Sequence, residues 1–306
     1  MSYKNELFKS IKEKRNISDI SINIYITCLE LTNLYINNTR IFDDLKFLKK
    51  KKIILNDFFK DKKITFKKKY LSSFITALDT KYDENEKLIE YYKKLLNKYN
   101  DILMENEKNH IKSDKQLNNM VSNKYMNNVR KDLKTKIEEN DDFYINQDYV
   151  ISSIYTLIPP RRLDDYALMK IVSNNYYQNL KYLDKIKNNY LVKKDNKLHF
   201  IFCNYKTDKI YGIQKFEIKG NLKKIINKWL EINTSDIFLL NKDKKQMTSN
   251  LLGKMITNIF SNDEYKNVSL NQIRHSFITN NNVVNNPSIA FQMAHSIQTQ
   301  NYYKKD

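Results

Sequence analysis

Residues 270–303 read LNQIRHSFITNNNVVNNPSIAFQMAHSIQTQNYY and carry an arginine (Arg274), a histidine 21 residues later (His295) and a pair of tyrosines, Tyr302 and Tyr303. A guanidinium clamps a phosphate through a planar fork of donors, an imidazole hydrogen-bonds one, and a phenol can attack one. Arg274 has Ile273, Phe277 and Ile278 around it, the pattern of a side chain that emerges from packed structure. Its neighbour His275 is expected to tie the same helix to adjacent backbone.

Outward from this stretch, the 306-residue chain has a formal net charge of +19 and a sequence pI near 9.5. Such an excess points to an extended polyanion as partner, most simply nucleic acid. Lysine, asparagine and isoleucine richness also follows from A+T-rich coding, which makes the arginines more telling. Only six of the 54 basic residues are arginine: Arg15, Arg40, Arg130, Arg161, Arg162 and Arg274. Where lysine is accepted almost everywhere, a retained arginine marks a need for the bidentate fork. With 29% charged residues, a mean hydropathy of −0.68 and no long apolar run, a membrane protein is not expected. The N-terminus MSYKNELFKSIKEKRN lacks the apolar centre of a signal peptide. Cys28 and Cys203 read as small buried hydrophobes of a reducing compartment, and no metal-ligand spacing is present.

The first 110 residues read as helical. Ser18 is an N-cap, followed by Ile20, Ile24, Cys28, Leu31 and Tyr35 on one face. Residues 42–59 and 65–78 give two more helical segments, and Leu88, Tyr91, Tyr92, Leu95, Leu96 and Tyr99 a fourth. The lysine runs Lys49, Lys50, Lys51, Lys52 and Lys67, Lys68, Lys69 read either as solvated faces or as sequence-independent phosphate contacts. A polar stretch, ENEKNHIKSDK, breaks the periodicity, and helix returns from Gln116 through Met126, Val129 and Ile137. An apolar segment, Tyr149 to Ile158, stops at Pro159 and Pro160. Arg161 and Arg162 then open a further helix. KLHFIFCNY (197–205) and IYGIQKFEI (210–218) read as a β-hairpin with Lys206 in its turn. Helices are expected over 222–230 and 249–260.

Breaking a phosphodiester without a metal needs a nucleophile, positive charge on the non-bridging oxygens and an acid for the leaving oxygen. Arg162 sits at a helix start, where backbone N–H groups also favour an anion, and Asp165 three residues on is expected to hold its guanidinium. Arg161 is the rival for that role. Lys206 is placed to protonate a leaving oxygen, and Tyr303 or Tyr302 to attack.

In that order, Arg162 with Asp165, Lys206 in NYKTDK, NQIRHSF and AHSIQTQNYYKK, the chain resembles the tyrosine recombinases, the phage-type integrases. The form PPRRLDDYALMKI is similar to integrases of large DNA viruses, virophages and related mobile elements. The resemblance implies a mainly α fold with a small antiparallel β-sheet. It divides the chain into a helical core-binding, DNA-clamping domain at 1–108, a linker at 109–115 and an α+β catalytic domain at 116–306. It implies catalytic roles for Arg162, Lys206, Asn271, Arg274, His295 and Tyr303, with Tyr302 the alternative nucleophile. Asn271 stands where the family has a histidine, and Ala294 where it has a glycine; the His-to-Tyr interval is shorter than usual. No cofactor or metal is implied. The partners implied are double-stranded DNA and, on recombining DNA, a homotetramer formed from a free monomer or dimer, inside a cell, in host cytoplasm, viral factory or nucleus. A type IB topoisomerase and a catalytically impaired DNA-binding relative are the alternatives.

Overall fold

The computed structural model describes residues 2–15, 17–109 and 114–304. The chain divides into two compact units, Met1–Asn109 and His110–Asp306. Residues 110–113, the middle of the expected linker, lie outside the described residues.

The first unit is helical. It holds α1 (Tyr3–Lys14), α2 (Asp19–Asn37), α3 (Ile64–Leu78) and the long α4 (Tyr82–Lys108), with short turns over 46–58. Ser18 caps α2 by accepting from the Ser21 N–H. The buried face of α2 is the expected one only at Cys28: it is buried together with Ile22, Ile26 and Leu29, whereas Ile20, Ile24 and Tyr35 are exposed. Two apolar stripes compete on this helix, and the neighbouring α3 takes the one that aligns with Leu71, Phe74 and Leu78. Phe59 and Phe74 stack at 6.3 Å in that core, and Tyr92 donates to the Leu48 carbonyl at 2.5 Å. The four-lysine run falls in the turns between α2 and α3, where Lys51 lies 4.0 Å over the Tyr91 ring.

The second unit combines helices with one small sheet. Helix α5 (Asn123–Glu139) is capped by Ser122, and α6 (Phe143–Thr156) by Asp142, whose carboxylate accepts from the Tyr144 and Ile145 N–H groups. The helical run expected from Gln116 is broken at 118–122. After the two prolines comes a short helix, α7 (Leu163–Ala167), which stops before β1 (Lys170–Ser173). Strands β2 (Tyr190–Lys194), β3 (Lys197–Phe202) and β4 (Gln214–Ile218) follow, and the sheet order is β1-β2-β3-β4.

The sheet differs from the expected one in one edge. Strands β2, β3 and β4 are antiparallel, but β1 pairs with β2 in parallel, so the sheet is mixed. The run after Ala167 is too short and too apolar for periodicity to separate strand from helix. The turn bearing Lys206 is also longer than expected. Asp208–Tyr211 is a helical turn that ends at Gly212, whose φ of 62° favours glycine.

Helices α8 (Gly220–Ile232), α9 (Ser249–Phe260), α10 (Leu270–Asn280), α11 (Pro287–Gln292) and α12 (Ile297–Tyr303) complete the unit. Its core joins Tyr155 and Tyr166 to Phe200, Phe202, Trp229, Phe238, Ile256 and Ile273. The Trp229 indole donates to the Phe238 carbonyl at 3.0 Å, so the largest side chain is both buried and satisfied. The chain is mainly helical with this one small sheet.

Candidate active site

Five elements of the second unit meet at a cleft of about 1170 Å³ whose walls include Arg162, Lys206, Asn271, Arg274, Tyr302 and Tyr303. Arg162 enters from the extended residue just before α7 and donates to the Ala294 carbonyl at 2.8 Å. Lys206 is exposed on the loop between β3 and β4, and Asn271 is exposed on the first turn of α10. One turn further along α10, Arg274 is almost fully buried. Its Nε donates to the Tyr303 hydroxyl at 3.0 Å, and its other nitrogens to the carbonyls of Pro160 at 2.5 Å and Met293 at 3.4 Å. Burial pulls the Arg274 guanidinium below its ordinary value, with Tyr303 opposing. A guanidinium stays charged under such a pull.

Asp165 does not hold Arg162. Its carboxylate accepts from the Arg161 Nε at 2.6 Å, with both side chains buried. Residue Arg162 precedes the first turn of α7 with ψ of 163°, which sends its side chain to the cleft, and Arg161 folds back over the helix instead. Arg161 also donates to the Gln214 side-chain oxygen and the Gln292 carbonyl, each at 2.7 Å, and lies 3.8 Å over the Phe202 ring. It thus ties α7 to β4 and to the end of α11, with no place in the cleft wall.

The end of α11 explains how His295 is set. The Ala294 N–H donates to the Phe291 carbonyl and the His295 N–H to the Ala290 carbonyl, the paired bonds of a Schellman helix ending. Such an ending needs a left-handed residue, and Ala294 occupies it with φ of 53°. The Ala294 carbonyl then accepts from both Arg162 and the Thr207 hydroxyl, joining the Lys206 loop to the histidine. His295 is 2% exposed, its Nδ1 donates to the Ser296 carbonyl at 3.0 Å, and burial pulls its imidazole down to about 4, helped by Arg274 and Arg162. Its ring centroid is 5.5 Å from that of Tyr303.

His275 fixes the tyrosine helix. Its Nδ1 donates to the Tyr303 carbonyl at 2.8 Å, which leaves Nε2 to accept from Gln116 at 3.2 Å. Tyr302 is 42% exposed on the cleft rim, its ring 5.7 Å from that of Tyr303. The sequence offered no signal for the wall supplied by α9, where Ser249, Asn250, Lys254, Thr257 and Asn258 face the cleft. Small polar residues at helical spacing look like any solvated face. Gly253 lets that wall come close, since a Cβ there would stand 3.2 Å from Leu163 Cδ1.

The lysines expected to contact DNA, Lys49 to Lys52 and Lys67 to Lys69, all belong to the first unit, where Lys67 and Lys69 lean over Tyr99 and Phe66. Among the described residues, no three His, Cys, Asp or Glu side chains gather as a metal-ligand set, and no helix is long and apolar enough to cross a membrane.

No protein-family model matches the chain, and no curated protein matches it. Among solved structures, the crystal structure of XerA recombinase is similar over 99% of this chain and 94% of that one, at 12% identity and a TM-score of 0.41. At that distance, a functional reading rests on the cleft and the residues it gathers.

Proposed function

We propose that the chain is a site-specific DNA recombinase or integrase that cleaves and rejoins DNA through a 3′-phosphotyrosyl intermediate. The observation that carries this reading is the arrangement of Tyr303, hydrogen-bonded to buried Arg274, in a cleft that also holds Arg162 and Lys206. Tyr303 attacks the scissile phosphorus, and the bond to the 5′ oxygen breaks. Arg162 and Arg274 neutralise the charge that grows on the non-bridging oxygens, the largest single contribution such sites make. The Lys206 ammonium protonates the leaving oxygen, and a 5′-hydroxyl from another strand reverses the sequence. Asn271 hydrogen-bonds the phosphate at the cleft mouth.

Double-stranded DNA is the partner, with Lys49 to Lys52 and Lys67 to Lys69 contacting phosphates in a salt-dependent manner, and strand exchange uses four copies of the chain. Short direct repeats flanking the gene would support a mobile-element or viral setting.

The test is a library of nicked duplexes of random sequence, whose cleaved end diffuses away. The protein should form a covalent DNA adduct with part of the pool, and Tyr303→Phe should form none while still binding DNA. Supercoil relaxation without joining of two sites would favour a type IB topoisomerase instead.

A further inference from the structure

The attacking phenol must lose a proton, and Asn271, exposed in the same cleft, has an amide that is no base near neutral pH. His275 has both ring nitrogens engaged, one on the Tyr303 carbonyl and one on Gln116. Asp165 is buried in its pair with Arg161, and Asp164 accepts from the Ser249 hydroxyl. Arg274 and Arg162 have no lone pair to offer.

His295 differs from all of these. A carbonyl oxygen only accepts, so the contact between Nδ1 and the Ser296 carbonyl places the ring hydrogen on Nδ1. In the neutral ring Nε2 then carries a lone pair and no hydrogen. That atom is buried and has no hydrogen-bond partner among the described residues, while the ring packs against Tyr303. A neutral ring with this tautomer cannot donate from Nε2 to a phosphate oxygen; it can only accept.

We propose that His295, rather than a residue at position 271, takes the proton from Tyr303 through its Nε2 as the phenol attacks. The proposal rests on the strand-transfer reading above. As the Tyr303 oxygen bonds to phosphorus, its proton passes to His295 Nε2, the bond from phosphorus to the 5′ oxygen breaks, and that oxygen takes a proton from the Lys206 ammonium. On rejoining, the imidazolium returns its proton to Tyr303, and the amine of Lys206 takes the proton of the incoming hydroxyl. Burial, with Arg274 and Arg162 as the charged groups facing the ring and Tyr303 as its titratable neighbour, holds His295 neutral in the resting protein. The base is therefore ready throughout the neutral range.

Single-turnover cleavage on adduct-forming duplexes from the library separates this role from simple phosphate binding. His295→Gln keeps a hydrogen-bond donor but cannot act as a base, and His295→Ala keeps neither. Both should slow cleavage by about 10²–10⁴-fold near pH 7, the usual worth of a positioned base. The deficit should shrink as pH rises, by about tenfold per pH unit, because hydroxide then takes the phenol proton in place of the missing base. DNA binding by both variants serves as the control for folding. The proposal is overturned if His295→Gln cleaves within about threefold of wild type, or if the deficit of His295→Ala is the same at every pH. Loss of the adduct in the wild type would instead overturn the strand-transfer reading, and the proton route with it.

Discussion

The Nε of Arg274 donates to the hydroxyl of Tyr303 at 3.0 Å, and the guanidinium carbon lies 4.8 Å from the centre of the same ring. One buried cation thus orients the phenol and faces the cleft where a phosphate would sit. Arg274→Lys keeps the charge but loses the fork that reaches Tyr303, Pro160 and Met293 together. Its cleavage rate on a nicked substrate should fall by about 10²–10³-fold, the loss typical of one oriented donor. A rate within threefold of wild type would show that charge alone suffices.

The pair Arg161–Asp165 should govern stability. Removing one partner of a buried ion pair costs about 3–5 kcal/mol, because the other is left charged and uncompensated. Asp165→Ala is therefore expected to lower the urea midpoint sharply. The exposed pair Lys134–Glu138, at 3.3 Å, should give almost no change on Glu138→Ala.

Ala294 occupies a left-handed position that a glycine adopts without strain. Ala294→Gly should stabilise the protein by about 0.5–1 kcal/mol, after allowing for the looser unfolded chain. Chemical denaturation measures it. A destabilised variant would mean that the alanine methyl contributes more by packing than the backbone loses by strain.

Acid should weaken the fold through His295. Its folded value, about 4, lies below the ordinary value of 6.5, so the unfolded chain binds the extra proton between those limits. Stability from this group is full above about pH 6.5 and is lost as pH falls toward 4, by on the order of 2 kcal/mol. His199 acts in the same sense, since burial lowers it too. Asp148 acts oppositely: burial raises it from 3.8 to about 6, so its contribution is present below that window and lost as pH rises through it. Urea midpoints between pH 4 and 7 should therefore vary less with pH in His295→Asn, and more steeply in Asp148→Asn, than in wild type. Unchanged slopes in both would contradict these assignments.

The arginines and tyrosines that line the cleft were the legible part of the sequence. Arg162 and Arg274 stood out because the chain otherwise prefers lysine, and the structure brings both to one cleft with Lys206 and Tyr303. The local partners were less legible. Asp165 lies three residues from Arg162 and four from Arg161, and both spacings put groups on one helical face. Only the extended backbone at Arg162 decides between them. The role of Ala294 follows from the left-handed ending of α11, and the strand Lys170–Ser173 from its parallel pairing with β2, which no local pattern encodes. The outward turn of Ile20 and Ile24 likewise reflects which stripe of α2 meets α3.

Digesting the trapped protein–DNA adduct and sequencing the modified peptide by mass spectrometry identifies the attacking group. The nucleotide should sit on Tyr303, whose hydroxyl Arg274 holds, and Tyr302→Phe should leave that peptide and its yield unchanged. A nucleotide found on Tyr302, or an adduct that survives Tyr303→Phe, would contradict it.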